Sequence, residues 1–248
     1  MVEKWFDPKF ENNYRRYTKK RLSGFSLENF FRKFSVTGWI IIINLVVFIF
    51  ALLFMGIFGA DKVLSIIALQ PIAFFNGAVW TLLTSMFMHG NFTHLLVNMI
   101  SLFFIGNFVE KLIGRKRFFW LYMISGIIAG LFFVFLAYLF GNTELGIRIF
   151  GGPDVYAVGA SGAIFALGGL LAVLTPKLRV YVFFIIPMQM WIAMVFLLIV
   201  MWAASIGAGL PFGNTAHLGG LLVGIVYAVY LKRKYKRKTA LISKYFSG

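Results

Sequence analysis

At 248 residues, the chain is 60% hydrophobic and only 13% charged, far outside the soluble range, which defines an integral membrane protein. A formal charge of +16 suits nucleic acid only as a basic face on a soluble fold, so no nucleic-acid partner is expected. With no cysteine, disulfides, thiolate catalysis and Cys-based metal sites are excluded.

Residues 1–38 interleave basic and aromatic side chains, with no apolar core directly after Met1. They read as a cytoplasmic segment lying on anionic lipid, not as a signal peptide, and Glu3, Asp7, Glu11 and Glu28 argue against a transit peptide. The membrane domain is expected over residues 39–231. Six apolar stretches suit membrane spans: Trp39 to Gly59, Thr93 to Val109, Phe118 to Phe140, Ala160 to Thr175, Val180 to Ser205, and Ala216 to Leu231. Between the first two, Ala60 to Phe92 is apolar but broken by Gln70-Pro71, Asn76-Gly77 and His89-Gly90-Asn91. It is expected as a loop too greasy for water, lying in the interface or packed on the bundle. Residues 232–248 form a basic cytoplasmic tail whose LKRKYKRK serves as a stop and lipid contact.

Placing both termini in the cytoplasm puts 22 of the 24 lysines and arginines on the inner side, leaving Lys62 and Arg148 outside. The positive-inside rule thus accounts for the charge and favours an even number of spans. Spans two, four and six then start at the outer face. The fourth, about 16 residues or about 24 Å long against a core of about 30 Å, starts below that face, with Thr175-Pro176-Lys177 at the inner surface. Ser161, His217, His94 and Asn98 all fall at this submerged level.

Intramembrane polar groups are costly and mark function when they converge. A serine hydroxyl becomes nucleophilic beside a base, and histidine is the side chain suited to that task near neutral pH. His94 and Asn98, at i and i+4, project from one helix face and, with the Ser161 amide, could supply donors to an oxyanion. No acidic residue lies at that level within a span, so the arrangement is a Ser-His dyad. Ala216, Gly220 and Gly224 repeat every four residues around His217, and Gly162, Ala166 and Gly169 line span four. Small faces of this kind let two helices approach closely.

Other chemistries fit less well. His89 and His94 enclose GNFT, which lacks the glutamate of a zinc-protease H-E-x-x-H, and no paired acids lie in the spans for an aspartyl protease. Gly159-Ala160-Ser161-Gly162-Ala163 lacks the last glycine of the soluble G-x-S-x-G elbow. A channel or transporter lined by these polar residues is the remaining rival.

GASG around Ser161, AHLGGLLVG around His217, HGNFTHLLVN from His89 to Asn98, and Glu110-Lys111-Leu112-Ile113-Gly114 at the end of span two occur in one order with matching topology. Together they resemble the rhomboid intramembrane serine proteases, across nearly the whole region from the first span to Leu231. The resemblance implies an all-α, six-transmembrane-helix bundle that cleaves peptide bonds in or beside transmembrane segments of other membrane proteins. It implies Ser161 as nucleophile, His217 as base, His94 and Asn98 as oxyanion donors, and structural roles for His89, Gly159, Gly162, Gly220 and Gly224. Lateral substrate entry near span five, WIAMVFLLIVMW, is implied as well, with a preference for small side chains at the cleaved bond. No metal or other cofactor is expected. The partners are transmembrane protein substrates and the bilayer, in a multi-pass prokaryotic plasma-membrane protein whose site opens to the external side. Two positions depart from the family pattern. Trp80-Thr81 stands where many rhomboids have Trp-Arg, and Phe165 stands where tyrosine often stacks on the catalytic imidazole. A catalytically inactive rhomboid-like protein that binds membrane clients is the alternative, opposed by the presence of both Ser161 and His217.

Overall fold

In the computed structural model, residues 34–182, 185–210 and 212–246 are described. The basic, aromatic segment expected over residues 1–38 therefore lies outside the described residues as far as residue 33. Helices dominate in chain order: α1 (Val36–Phe58), α2 (Ala60–Ile67), α3 (Pro71–Phe75), α4 (Thr81–Thr84), α5 (Phe92–Ile113), α6 (Arg115–Phe140), α7 (Glu144–Phe150) and α8 (Ser161–Leu174). After a hairpin, β1 (Arg179–Val182) and β2 (Ile186–Gln189), come α9 (Met190–Ala208), α10 (Asn214–Lys234) and α11 (Lys236–Tyr245). Five of these, α1, α5, α6, α9 and α10, are long and apolar enough to cross a bilayer, and α8 is a shorter apolar helix among them.

The bundle is built around α8. Eleven of its fourteen residues are buried, from Gly162 to Leu174, by contact with α5, α6, α9 and α10. A helix hydrophobic all round must be enclosed, and α8 is. The outer helices bury single stripes instead: α1 turns Thr37, Ile40, Asn44, Phe48 and Ala51 inward and leaves Ile49, Leu53 and Ile57 exposed. Such broad apolar exposure is what a lipid-facing surface requires.

The N-terminal end of α1 is fixed by a carboxylate from the end of α5. Glu110 accepts hydrogen bonds from the Val36 amide at 2.9 Å and from the Thr37 amide and hydroxyl, each at 2.8 Å. Ser35 takes the Gly38 amide. First-turn amides have no partner within their own helix, and a buried negative charge there also favours the helix dipole. Gly114 then turns the chain with φ +87° so that α6 can start immediately.

Three elements differ from the sequence reading. The stretch from Ala60 to Phe92, expected as a loop, contains α2, α3, α4 and a 3₁₀ turn at Ser85–Phe87, and it packs on α6. Span five starts at Met190 rather than Val180, because Arg179–Val182 and Ile186–Gln189 pair as the antiparallel hairpin, in register Arg179↔Gln189 to Val182↔Ile186. Val180 and Val182, read there as the start of a span, are β-branched and suit strands equally well, and apolarity alone does not separate the two. The basic tail continues as the last turn of α10 and as α11, which folds back with Ile242 1% exposed and Phe246 edge-on to Phe108 at 5.4 Å.

Candidate active site

Ser161 opens α8 and His217 lies in the first turn of α10. The imidazole Nε2 is 2.8 Å from the Ser161 Oγ. This reach exists because backbones meet where side chains are missing. A Cβ on Gly220 would run into the Gly162 carbonyl, and one on Gly224 into the Ala166 carbonyl. The two helices are in contact over two turns, as the small-residue face predicts.

The imidazole is held from a second side. Phe165, one turn below Ser161, stacks on His217 with ring centroids 4.4 Å apart and planes 13° from parallel. Parallel stacking fixes the ring plane without a hydroxyl, and such pairs contribute about 0.5–1.5 kcal/mol beyond burial. His217 Nδ1 is buried and has no hydrogen-bond partner among the described residues, so no carboxylate orients the ring. For Nε2 to accept the Ser161 proton, the neutral tautomer must carry its own proton on Nδ1.

His94 and Asn98 reach the same place from α5. A Cβ on Gly159, two residues before Ser161, would lie 2.8 Å from His94 Cε1 and Nε2 and 3.7 Å from Asn98 Nδ2. Gly159 has φ +127°, a conformation that excludes other side chains as firmly as the space does. Asn98 is buried, and its Nδ2 has no partner among the described residues. A buried donor of this kind, beside the chain that leads into Ser161, can serve an acceptor brought to it. His89 sits behind His94, 2% exposed, with the rings edge-on at 5.1 Å. Burial, reinforced by the nearby His94, pushes the His89 imidazole down to about 3, so it is a neutral buttress.

The structure joins the residues singled out in the sequence by contacts: Ser161 with His217, Phe165 with His217, His89 with His94, Gly159 with His94 and Asn98, Gly220 with Gly162, and Gly224 with Ala166. It adds a strap that no local pattern announces. The chain leading into Ser161 is tied to the segment before α5: Gly159 donates to the Ser85 carbonyl at 2.9 Å, and Leu69 and Ala157 exchange backbone hydrogen bonds at 3.0 and 2.7 Å. Gln70 donates to the Asp154 carbonyl at 2.7 Å. Trp80 stays anchored through its indole, which donates to the Ile66 carbonyl at 2.9 Å, while Thr81 is turned inward and fully buried. Among the described residues no three His, Cys, Asp or Glu side chains are grouped to hold a metal ion.

Known proteins share this arrangement of sequence. A family model described as the rhomboid domain matches residues 76–234. The chain is 34% identical over 162 residues to Rhomboid protein 1, mitochondrial, of Saccharomyces cerevisiae, covering 64% of this chain and 43% of the yeast protein. It is 30% identical over 168 residues to the putative rhomboid protease YdcA of Bacillus subtilis, covering 66% and 72%. It is 31% identical over 177 residues to the rhomboid protease AarA of Providencia stuartii, covering 66% and 60%. The aligned region thus spans less than half of the yeast relative. The matched residues include the helix that carries His94 and Asn98 and both partners of the Ser161–His217 contact, and on that match the chain belongs to the rhomboid family of integral membrane proteins.

Proposed function

We propose that the protein is an intramembrane serine endopeptidase that hydrolyses peptide bonds in or next to transmembrane segments of other membrane proteins. The observation that carries this reading is the 2.8 Å contact between His217 Nε2 and Ser161 Oγ. His217 takes the hydroxyl proton as the serine oxygen attacks the substrate carbonyl. His94, Asn98 and the Ser161 amide stabilise the oxyanion, and the Asn98 Nδ2, unpartnered among the described residues, serves as one of its donors. The protonated imidazole then gives its proton to the leaving amine. Water, activated by the same ring, releases the acyl group from Ser161.

Both termini lie in the cytoplasm of a prokaryotic plasma membrane in this reading, and the site opens outward. The fourteen residues of α8 span about 21 Å of a core of about 30 Å, so Ser161 sits below the outer surface and is wetted from that side. Substrate enters beside α9, where only five of nineteen residues are buried. The protein exists as a chain in the bilayer whose partners are transmembrane substrates.

The test uses purified protein in detergent and in liposomes. Wild type is labelled by a fluorophosphonate and cleaves a model transmembrane substrate, and Ser161→Ala and His217→Ala do neither. Equal behaviour of wild type and Ser161→Ala in both assays overturns the reading in favour of an inactive client-binding protein. Solute flux through vesicles that survives Ser161→Ala would favour a channel.

A further inference from the structure

On the side of α10 turned away from His217 runs an apolar groove of about 450 Å³. Ile128 and Phe132 of α6 form one wall, and Gly219, Leu222, Val226 and Tyr230 form the other. On a helix of 100° per residue these α10 positions centre on the face opposite His217, so the groove is not part of the site. One end is closed where α6 and α10 touch: a Cβ on Gly219 would lie 2.7 Å from the Phe132 Cβ. From Gly219 to Tyr230 the groove follows about eleven residues, or about 16 Å, close to half of a hydrocarbon core of about 30 Å. Val226 is 68% exposed in its middle.

The open end is polar and basic. Lys234 donates to the Tyr230 hydroxyl at 2.8 Å and lies 5.3 Å from the centroid of that ring. Arg117, from the start of α6, donates to the Tyr235 hydroxyl at 2.9 Å and lies 5.3 Å over its ring. Two tyrosines thus hold two cations at the mouth of an apolar slot. Lys234 is exposed and has no carboxylate partner among the described residues. Lys232, Arg233, Lys236 and Arg237 flank it, and no Asp or Glu occurs after Asp154.

We infer that this groove is a binding site for one anionic phospholipid, with an acyl chain along α10 from Tyr230 to Gly219 and the phosphate at Lys234 and Arg117. The slot has the length of one leaflet, and an ammonium with two donors still unused faces a phosphate. The surplus of cations selects an anionic over a zwitterionic headgroup. The site stands whether or not Ser161 is catalytic.

The experiment delipidates the full chain, in wild-type and Ser161→Ala forms, and reads lipid retention by native mass spectrometry. Phosphatidylglycerol and phosphatidylcholine are offered at equal concentration. Wild type and Ser161→Ala alike are expected to retain one phosphatidylglycerol in preference to phosphatidylcholine. Lys234→Gln is expected to weaken that retention about fivefold. Val226→Trp, which fills the slot at an exposed position, is expected to weaken it at least as much. A phosphatidylglycerol with a diazirine in its acyl chain maps the slot on the unmutated chain, with crosslinks concentrated between Ile128 and Phe132 and between Leu222 and Val226. Equal retention of the two lipids overturns the inference. So does a crosslink pattern spread evenly over the lipid-facing helices, which would reduce the effect of Lys234 to headgroup adsorption on a basic surface.

Discussion

The pair α8 and α10 differs in kind from α9, its neighbour in both sequence and space. Between α8 and α10 the backbones touch at Gly220 and Gly224, and eleven of fourteen α8 residues are buried. By contrast α9 buries five of nineteen and meets α8 through Met190 and Met194, whose sulfur and methyl ends occupy the space above Gly168. Thioether side chains adapt to a changing surface, whereas two backbones in contact have nowhere to move. At its C-terminal end α9 is tied by a few polar links: Trp202 to the Ile149 carbonyl, Arg148 to the Ile206 carbonyl, and Ser205 between the Leu210 carbonyl and Asn214. The Ser161–His217 geometry therefore rests on the rigid pair, and in the proposed protease substrate passes beside a helix held at a few points.

The strongest way to break this contrast is to separate the rigid pair. Gly220→Leu is expected to destabilise the fold by about 1–3 kcal/mol, read as a lower melting temperature in detergent. It is also expected to cut fluorophosphonate labelling by about a thousandfold or more, because nucleophile and base act only as a unit. Labelling that survives would show that the contact of the backbones is not what aligns the dyad. Asn98→Ala should leave the melting temperature nearly unchanged, since its Nδ2 has no hydrogen-bond partner among the described residues, yet lower kcat by about 10²–10³. A matched fall in both quantities would make Asn98 a structural residue.

A smaller effect is expected at the imidazole. Phe165→Leu keeps the volume but removes the stack on His217, and labelling should slow about two- to tenfold, in line with an aromatic pair of about 0.5–1.5 kcal/mol. The smallest change tests the loosely held side. Trp202→Phe removes the indole donor to Ile149, a link of about 1 kcal/mol. Cleavage of a transmembrane substrate should rise a few-fold while labelling by a small fluorophosphonate, which needs no lateral opening, stays constant. A parallel rise in both would place Trp202 on the dyad rather than on the entry.

The spans and the meeting of Ser161 with His217 are legible because they obey local rules. Six apolar stretches, a K/R count for each connection, and glycines at four-residue spacing are enough to put Ser161 and His217 at one depth. The bond of Glu110 to Val36 and Thr37 was not, since it joins residues 73 and 74 positions apart and leaves no periodic trace. The strap of Leu69 to Ala157 was hidden for the same reason. The hairpin before Met190 is not legible, because a short apolar run rich in Val and Ile suits a strand and a helix equally. Phe165, which departs from the family's usual residue, keeps the aromatic stack that its position implied.

The shortness of α8 has a further consequence. A helix is a screw, so the height of Ser161 and the direction in which it points are not independent. Adding one residue below it would lift the hydroxyl by about 1.5 Å and swing it by about 100°, away from His217 altogether. The depth of the Ser161 hydroxyl cannot be tuned in small steps along α8. Any gradual adjustment of that depth has to come from tilting the whole bundle or from the thickness of the bilayer around it.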